Sequence, residues 1–281
     1  MHITESTALF GAANSLAGIV SIPETPDPRL PAVVLLAPAQ YPRWGPHRLY
    51  VLLARHLAGL GFTTLRFNFS GVGESLRRED EIPEDEAQLL ETSEAMDYLD
   101  RVHGVRRYLA VGLCRSAWIA LHTARRDSRL AGLVLLNPQS LASERQSALH
   151  LNAKSRRTLE QSIRRGSSWH RFFSGKADYR GKLAMLRTVV RDRLNPSPLE
   201  AEIDEATGHL TELDTRGVRI LVVVGDWADE HFDPCMDAIL QKSRMSGLRK
   251  EVIAGCDHAF TPLAAQRALV EIIDKWLRNW A

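Results

Sequence analysis

Short apolar runs alternate with amphipathic segments along most of the chain. The run at residues 32–37 is continuously apolar, as expected for a strand that is buried on both faces of a sheet. Leucines then recur at helical spacing between residues 46 and 60, where Gly59 and Gly61 end the pattern. By the same criteria, further strands are predicted at residues 62–69, 107–111, 132–136, 218–224 and 248–253, and further helices at residues 83–101, 115–126, 234–243 and 262–276.

This alternation predicts a mostly parallel central sheet with helices on both faces. Two antiparallel strands, at residues 3–9 and 16–22, are predicted to precede it as a hairpin. From residue 140 the buried strands give way to polar helical segments with scattered apolar residues. We therefore predict an α/β core formed by residues 1–139 and 210–281, interrupted by a helical lid insertion of residues 140–209.

The composition is that of an ordinary globular protein, with 44% hydrophobic and 25% charged residues among 281. No apolar run approaches the roughly 20 residues of a membrane span, and residues 1–5 do not resemble a signal peptide. We therefore expect a cytoplasmic protein that does not associate with membranes. Its three cysteines, Cys114, Cys235 and Cys256, lie far apart, which favours neither a zinc site nor a disulfide framework.

The net charge of +2 is distributed unevenly along the chain. Residues 140–193 contain 13 Lys and Arg against 4 Asp and Glu, a net charge of +9 that leaves −7 for the remainder. A basic insertion is a candidate surface for an anionic partner. The alternative is a helical face that is simply exposed to water.

A candidate nucleophile lies in a tight turn between a predicted strand and a predicted helix. The sequence G-L-C-R-S at residues 112–116 has the order of a nucleophile elbow, with Cys114 as the nucleophile. Such a turn needs small flanking residues, here Gly112 and Ser116, because neighbouring backbone comes close. The positive end of the helix that begins at Arg115 is expected to lower the pKa of the thiol. Two alternatives are Ser116 as the nucleophile and a Cys114 that is only a small buried residue.

Loops after two later strands contain candidates for the base and the acid. His258 follows the strand at residues 248–253, where a base can reach the nucleophile. Asp226 and Asp229 follow the strand at residues 218–224, and either can orient a histidine. The ordinary alternative for His258 is a loop residue without a catalytic role.

An oxyanion hole needs two backbone N–H groups, one after the nucleophile and one from the loop after the first interior strand. Arg115 supplies the first. Ala39 is the better candidate for the second, because Pro38 has no N–H group.

With these residues in place, the chain resembles the α/β-hydrolase superfamily over nearly its whole length. Residues 66–75, R-F-N-F-S-G-V-G-E-S, are similar to the R-x-D-x-R-G-x-G-x-S loop of that family. Residues 112–117, G-L-C-R-S-A, are similar to the G-L-C-S-G-A elbow of bacterial members, some of which accompany polyketide, peptide or exopolysaccharide assembly enzymes. The segments P-H-R-L-Y at 46–50 and L-N-P-Q at 136–139 also match. The resemblance implies an α/β-hydrolase fold. It also implies that the acid lies a few residues beyond Gly225, the glycine that follows the strand at residues 218–224, which favours Asp229 over Asp226.

The resulting hypothesis is an acyl hydrolase or acyltransferase of the thioesterase or esterase type. It would act through Cys114, His258 and Asp229 and a covalent acyl-cysteine, without metal, organic cofactor or nucleic acid. The acyl group is expected on coenzyme A or an acyl carrier protein in secondary metabolism. Alternatives are a lactone or carbon–carbon hydrolase with the same triad, or a catalytically silent scaffold that binds a partner. Four arginines of the insertion are the expected contacts to phosphate or carboxylate groups, namely Arg156, Arg157, Arg164 and Arg165.

Overall fold

The computed structural model describes residues 2–38, 41–138, 141, 197–228, 236–278 and 280. The strands are β1 (Ile3–Phe10), β2 (Leu16–Pro23), β3 (Ala32–Leu36), β4 (Thr64–Phe67), β5 (Tyr108–Leu113), β6 (Leu130–Leu136), β7 (Arg219–Gly225) and β8 (Leu248–Ile253). The α-helices are α1 (Leu49–Gly59), α2 (Glu84–His103), α3 (Arg115–Arg126), α4 (Ser197–Thr215), α5 (Met236–Ser243) and α6 (Leu263–Leu277), and single 3₁₀ turns occur at Ala12–Asn14, Pro46–Arg48 and Asp226–Ala228.

The described strands form one eight-stranded sheet in the order β1-β2-β4-β3-β5-β6-β7-β8. The hairpin β1–β2 is antiparallel, and β2 joins the sheet antiparallel to β4. All pairings from β4 to β8 are parallel. The predicted α/β-hydrolase fold with a mostly parallel sheet is thereby confirmed.

Alternate residues of each interior strand enter cores on opposite faces of the sheet. In β3, Val34 and Leu36 pack with α2 to α5, whereas Val33 and Leu35 pack with α1 and α6. Successive side chains of a strand point to opposite faces, so a strand covered on both sides must be apolar throughout. This explains the continuous apolar run at residues 32–37.

The sequence pattern predicts a helix from residue 46, whereas α1 begins three residues later, at Leu49. His47 and Arg48 have φ angles of 49° and 61°, which are outside the right-handed helical region. These residues form a separate 3₁₀ turn, and the α-helix starts at Leu49. None of the described helices is long and apolar enough to cross a membrane.

The predicted lid falls mostly outside the described residues. Its last part belongs to helix α4, which contains the predicted boundary between residues 209 and 210. Within α4, Ala206, Leu210 and Leu213 are buried in the core beside α3 and α5. The insertion as a lid stays a prediction.

Candidate active site

Cys114 lies in a strained turn between β5 and α3. Its φ and ψ angles are 60° and −117°, a conformation that a residue with a side chain rarely adopts. A Cβ atom at Gly112 would lie 2.2 Å from the carbonyl oxygen of Ser116, so only glycine fits there. The backbone N–H of Cys114 donates to the carbonyl of Leu136 at the end of β6 (2.9 Å). The geometry is that of a nucleophile elbow.

Ser116 lies in the first turn of α3 and is 2% exposed. Its hydroxyl donates to the backbone carbonyl of Ala37, just beyond β3, at 2.9 Å. This bond accounts for a serine where related elbows have glycine, because it ties the elbow to the loop that contains Ala39. It also engages the hydroxyl proton, which leaves Cys114 as the better candidate nucleophile.

Tyr50 makes a second connection between the same two segments. Its hydroxyl donates to the carbonyl of Leu36 (2.8 Å) and accepts from the backbone N–H of Leu113 (3.1 Å). Tyr50 is fully buried. The sequence marks Tyr50 only as the last residue of the P-H-R-L-Y segment that resembles the family, and nothing in that segment indicates these two hydrogen bonds.

Of the two residues predicted to form the oxyanion hole, Arg115 is among the described residues. The backbone N–H of Arg115 acts on the side chain of Cys114 and lowers the pKa of its thiol, while Ala39 is outside the described residues. The side chain of Arg115 is directed elsewhere: it forms an ion pair with Asp85 and lies 4.3 Å above the ring of Trp118.

The expectation that Cys114 has a lowered pKa is wrong, although the start of α3 does act in that direction. Burial raises the pKa of this thiol, which is only 5% exposed, and outweighs the lowering effect of the Arg115 N–H group. Desolvation disfavours the thiolate more than the first turn of α3 stabilises it. The thiol is therefore protonated at neutral pH, and nucleophilic attack requires a base.

His258 lies on the loop between β8 and α6, which several hydrogen bonds hold in place. The backbone N–H of Thr261 donates to the Asp257 carboxylate (2.8 Å), and the Thr261 hydroxyl bonds to His47 Nε2 (3.0 Å). The Gln266 amide donates to the carbonyl of Phe260 (2.9 Å). His258 itself is half-buried.

Of the two candidate acids, only Asp226 is among the described residues. Its carboxylate accepts from the backbone N–H of Cys256 (3.1 Å), and Trp227 N–H donates to the Cys256 carbonyl (3.0 Å). A Cβ atom at Gly225 would lie 2.3 Å from that carbonyl, so the end of β7 and the histidine loop pack closely. Asp229 and the four arginines of the insertion lie outside the described residues.

Two adjacent residues at the end of β6 connect the elbow to the histidine loop. Leu136 accepts the backbone N–H of Cys114, and the Asn137 side chain donates to the carbonyl of His258 (3.0 Å). The structure thus places the elbow and the loop of His258 at the same edge of the sheet, where the carboxyl ends of the parallel strands meet.

A model of the alpha/beta hydrolase family matches residues 33–272. The chain therefore belongs to the α/β-hydrolase family. No curated protein matches this chain.

Several solved structures share the fold. The chain is similar to the esterase Pf2001 from Pyrococcus furiosus (TM-score 0.66, 11% identity, covering 99% of this chain and 93% of the other). It is also similar to a dienelactone hydrolase from Anabaena variabilis (0.59, 14%, 98% and 97%) and to an alpha-beta serine hydrolase homologue from Coxiella burnetii (0.56, 18%, 98% and 97%). At these identities the likeness shows a common fold. Membership of the α/β-hydrolase family supports a hydrolase-type enzyme.

Proposed function

We propose that this protein is an acyl hydrolase or acyltransferase of the thioesterase or esterase type, with Cys114 as a covalent nucleophile. The observation that carries the proposal is the strained elbow, which places Cys114 directly before the first residue of helix α3. Strain at a buried residue persists only where the surrounding structure imposes it, and such positions cluster at active sites.

In the proposed reaction, His258 takes the proton of Cys114 as the sulfur attacks the carbonyl carbon of the substrate. The N–H groups of Arg115 and Ala39 stabilise the oxyanion. Collapse of the tetrahedral intermediate breaks the bond to the leaving alcohol or thiol, which receives the proton from His258. Water or an acceptor then attacks the acyl-cysteine, again giving its proton to His258, and the free thiol is restored.

We assign Asp229 as the acid that orients His258, with Asp226 as the alternative. The assignment is supported by the contact of the Asp226 carboxylate with the backbone of Cys256, which gives that side chain a structural role in the loop. Because Asp226 has this structural role, we assign to Asp229, further along the same loop, the hydrogen bond that fixes the tautomer of the His258 imidazole.

The proposed acyl donors are attached to coenzyme A or to an acyl carrier protein, with Arg156, Arg157, Arg164 and Arg165 of the insertion as contacts. The support is the net charge of +9 over residues 140–193, which complements phosphate and carboxylate groups.

The test is intact-protein mass spectrometry after brief exposure to a panel of acyl thioesters and acid quenching. We expect one acyl group on the wild-type protein, its loss with time or on addition of an acceptor, and none on Cys114→Ala. Cys256→Ala is the matched control and should be acylated like the wild type, because Cys256 is fully buried. Acylation of Cys114→Ala to the wild-type extent would overturn the proposal, and a silent scaffold would show no selective acylation of Cys114.

A further inference from the structure

Asn137 occupies an unusual position at the end of β6. It is 2% exposed and has a φ angle of 40°. Among residues other than glycine, asparagine is one of the few that adopt a positive φ readily, because its short polar side chain can bond locally. β6 pairs with β5, which leads into Cys114, and with β7, which leads into the loop of the candidate acids. Asn137 is therefore central among the elements of the site.

Both polar atoms of the Asn137 side chain, Oδ1 and Nδ2, form hydrogen bonds. Its Oδ1 accepts from the backbone N–H of Gly225 at the end of β7 (2.8 Å). Its Nδ2 donates to the carbonyl of His258 (3.0 Å) and, at a longer 3.4 Å, to that of Asp257. The partners fix the orientation of the amide, since only Oδ1 can accept from an N–H group and only Nδ2 can donate to a carbonyl.

We infer that Asn137 is a positioning residue that holds the His258 backbone against the ends of β6 and β7, and so sets the direction of the imidazole toward Cys114. The inference rests on the proposed function, because it assumes that His258 is the base. The neighbouring Leu136 carbonyl fixes the backbone of Cys114. Nucleophile and base are thereby positioned by two consecutive residues, the last residue of β6 and the one that follows it.

Neither aspartate nor glycine supplies this set of bonds at position 137. An aspartate keeps the acceptor for Gly225 but brings a negative charge against the carbonyl of His258 instead of a donor. A glycine keeps the positive φ angle but removes the amide altogether. These two substitutions therefore separate the hydrogen bonds from the backbone conformation.

Activity on p-nitrophenyl acetate is the first measurement. We expect Asn137→Gly and Asn137→Asp to lower kcat by about 100-fold, the order of loss for a catalytic group misplaced by about 1 Å, with little change in KM. The pH profile of kcat/KM should shift on its acidic limb, because the environment of His258 changes. If one variant fails to fold by circular dichroism, the other decides the outcome.

A double-mutant cycle shows whether Asn137 acts through His258. In a His258→Ala background, Asn137→Gly should cause no further loss of kcat, whereas independent effects would multiply. Wild-type kcat in both Asn137 variants, or full multiplication of the two losses, would overturn the inference. An unchanged rate in His258→Ala alone would instead overturn the proposed function.

Asn68→Gly is the matched control. Asn68 is also a fully buried asparagine at the end of a strand, and its amide bonds the backbone N–H of Arg43 (2.6 Å) and the Glu74 carboxylate (2.8 Å). We expect a loss of thermal stability there, with no change in the pH profile. In long-range ¹H–¹⁵N spectra, which do not depend on turnover, the His258 ring signals should move in Asn137→Gly and stay in place in Asn68→Gly. Unmoved His258 signals in Asn137→Gly would count against the inference.

Discussion

At the scale of the residue, Cys114 combines a position that favours a thiolate with surroundings that oppose one. The N–H group of Arg115 stabilises the charged form, but burial raises the pKa of the thiol above its ordinary value. The reactive species must therefore be generated during attack, when His258 removes the proton. A resting ion pair between Cys114 and His258 is not needed for this chemistry.

Alkylation by iodoacetamide tests the protonation state of Cys114. Because its pKa is raised, the thiolate is scarce at pH 7, and we expect slower labelling than for a cysteine in a short peptide. The rate should still be rising at pH 9, the ordinary pKa of the group. Peptide mass spectrometry of the site across pH 6 to 10 measures this directly.

Two comparisons make the alkylation result specific. Cys114→Ala shows the background, and Cys256 should contribute little to it because burial raises the pKa of that thiol to about 12. A labelling rate that reaches its plateau below pH 7 would show a preformed thiolate and contradict the prediction.

At the scale of the element, helices α3 and α4 pack through aromatic rings. The ring of His122 stacks on Trp118 with centroids 3.9 Å apart and meets the ring of His209 edge-on at 5.3 Å. Burial lowers the pKa of His122 to about 3, so this side chain is neutral in the folded protein. The contact between the two helices is therefore built for an uncharged imidazole.

Stability should fall as the solution is acidified through the ordinary pKa of histidine, 6.5. Below that value the unfolded chain binds a proton at His122 that the folded protein does not, so the free energy of unfolding decreases with falling pH. Between pH 7.5 and 5.5 the contribution of His122 is about 1.4 kcal/mol. Urea denaturation of the wild type and of His122→Phe, which keeps an aromatic ring beside Trp118, measures it. An equal pH dependence in both proteins would refute the assignment.

At the scale of the whole molecule, charge is divided between the insertion and the rest of the chain. Residues 140–193 carry +9 and the remainder −7. Exposed charges act over a Debye length of about 8 Å at physiological ionic strength, so recognition of an anionic carrier through the insertion should weaken as salt rises. Turnover of a small neutral ester should scarcely change.

Charge reversal makes this prediction specific to the insertion. The double variant Arg156→Glu, Arg157→Glu should raise KM several-fold for a carrier-bound acyl donor and leave KM for p-nitrophenyl acetate unchanged. Arg101→Glu, Arg278→Glu changes the net charge equally at exposed residues outside the insertion and should affect neither donor. Equal salt sensitivity of turnover for both donors would contradict the prediction. It would indicate that these arginines only form a helical face exposed to water.

Much of the fold could be predicted because each element has a local signature. The two-sided burial of β3 requires a continuous apolar run, and the crowded elbow requires Gly112, where a Cβ atom would meet the carbonyl of Ser116. The start of α1 was misplaced by three residues, since the positive φ angles of His47 and Arg48 leave no mark on hydrophobic periodicity. Candidate site residues could be named from the sequence because they directly follow predicted strands, and their roles stay predictions.

The sequence by itself determined the order of strands and helices, the family and the elbow around Cys114, because these depend on patterns within a few neighbouring residues. Only the tertiary structure decided the pKa of Cys114 and the roles of Tyr50 and Asn137. The bond from Leu113 to Tyr50 joins residues 63 positions apart, and the bond from Asn137 to His258 spans 121. Burial and hydrogen bonds over such separations exist only once the sheet has brought its strand ends together, so no local pattern records them.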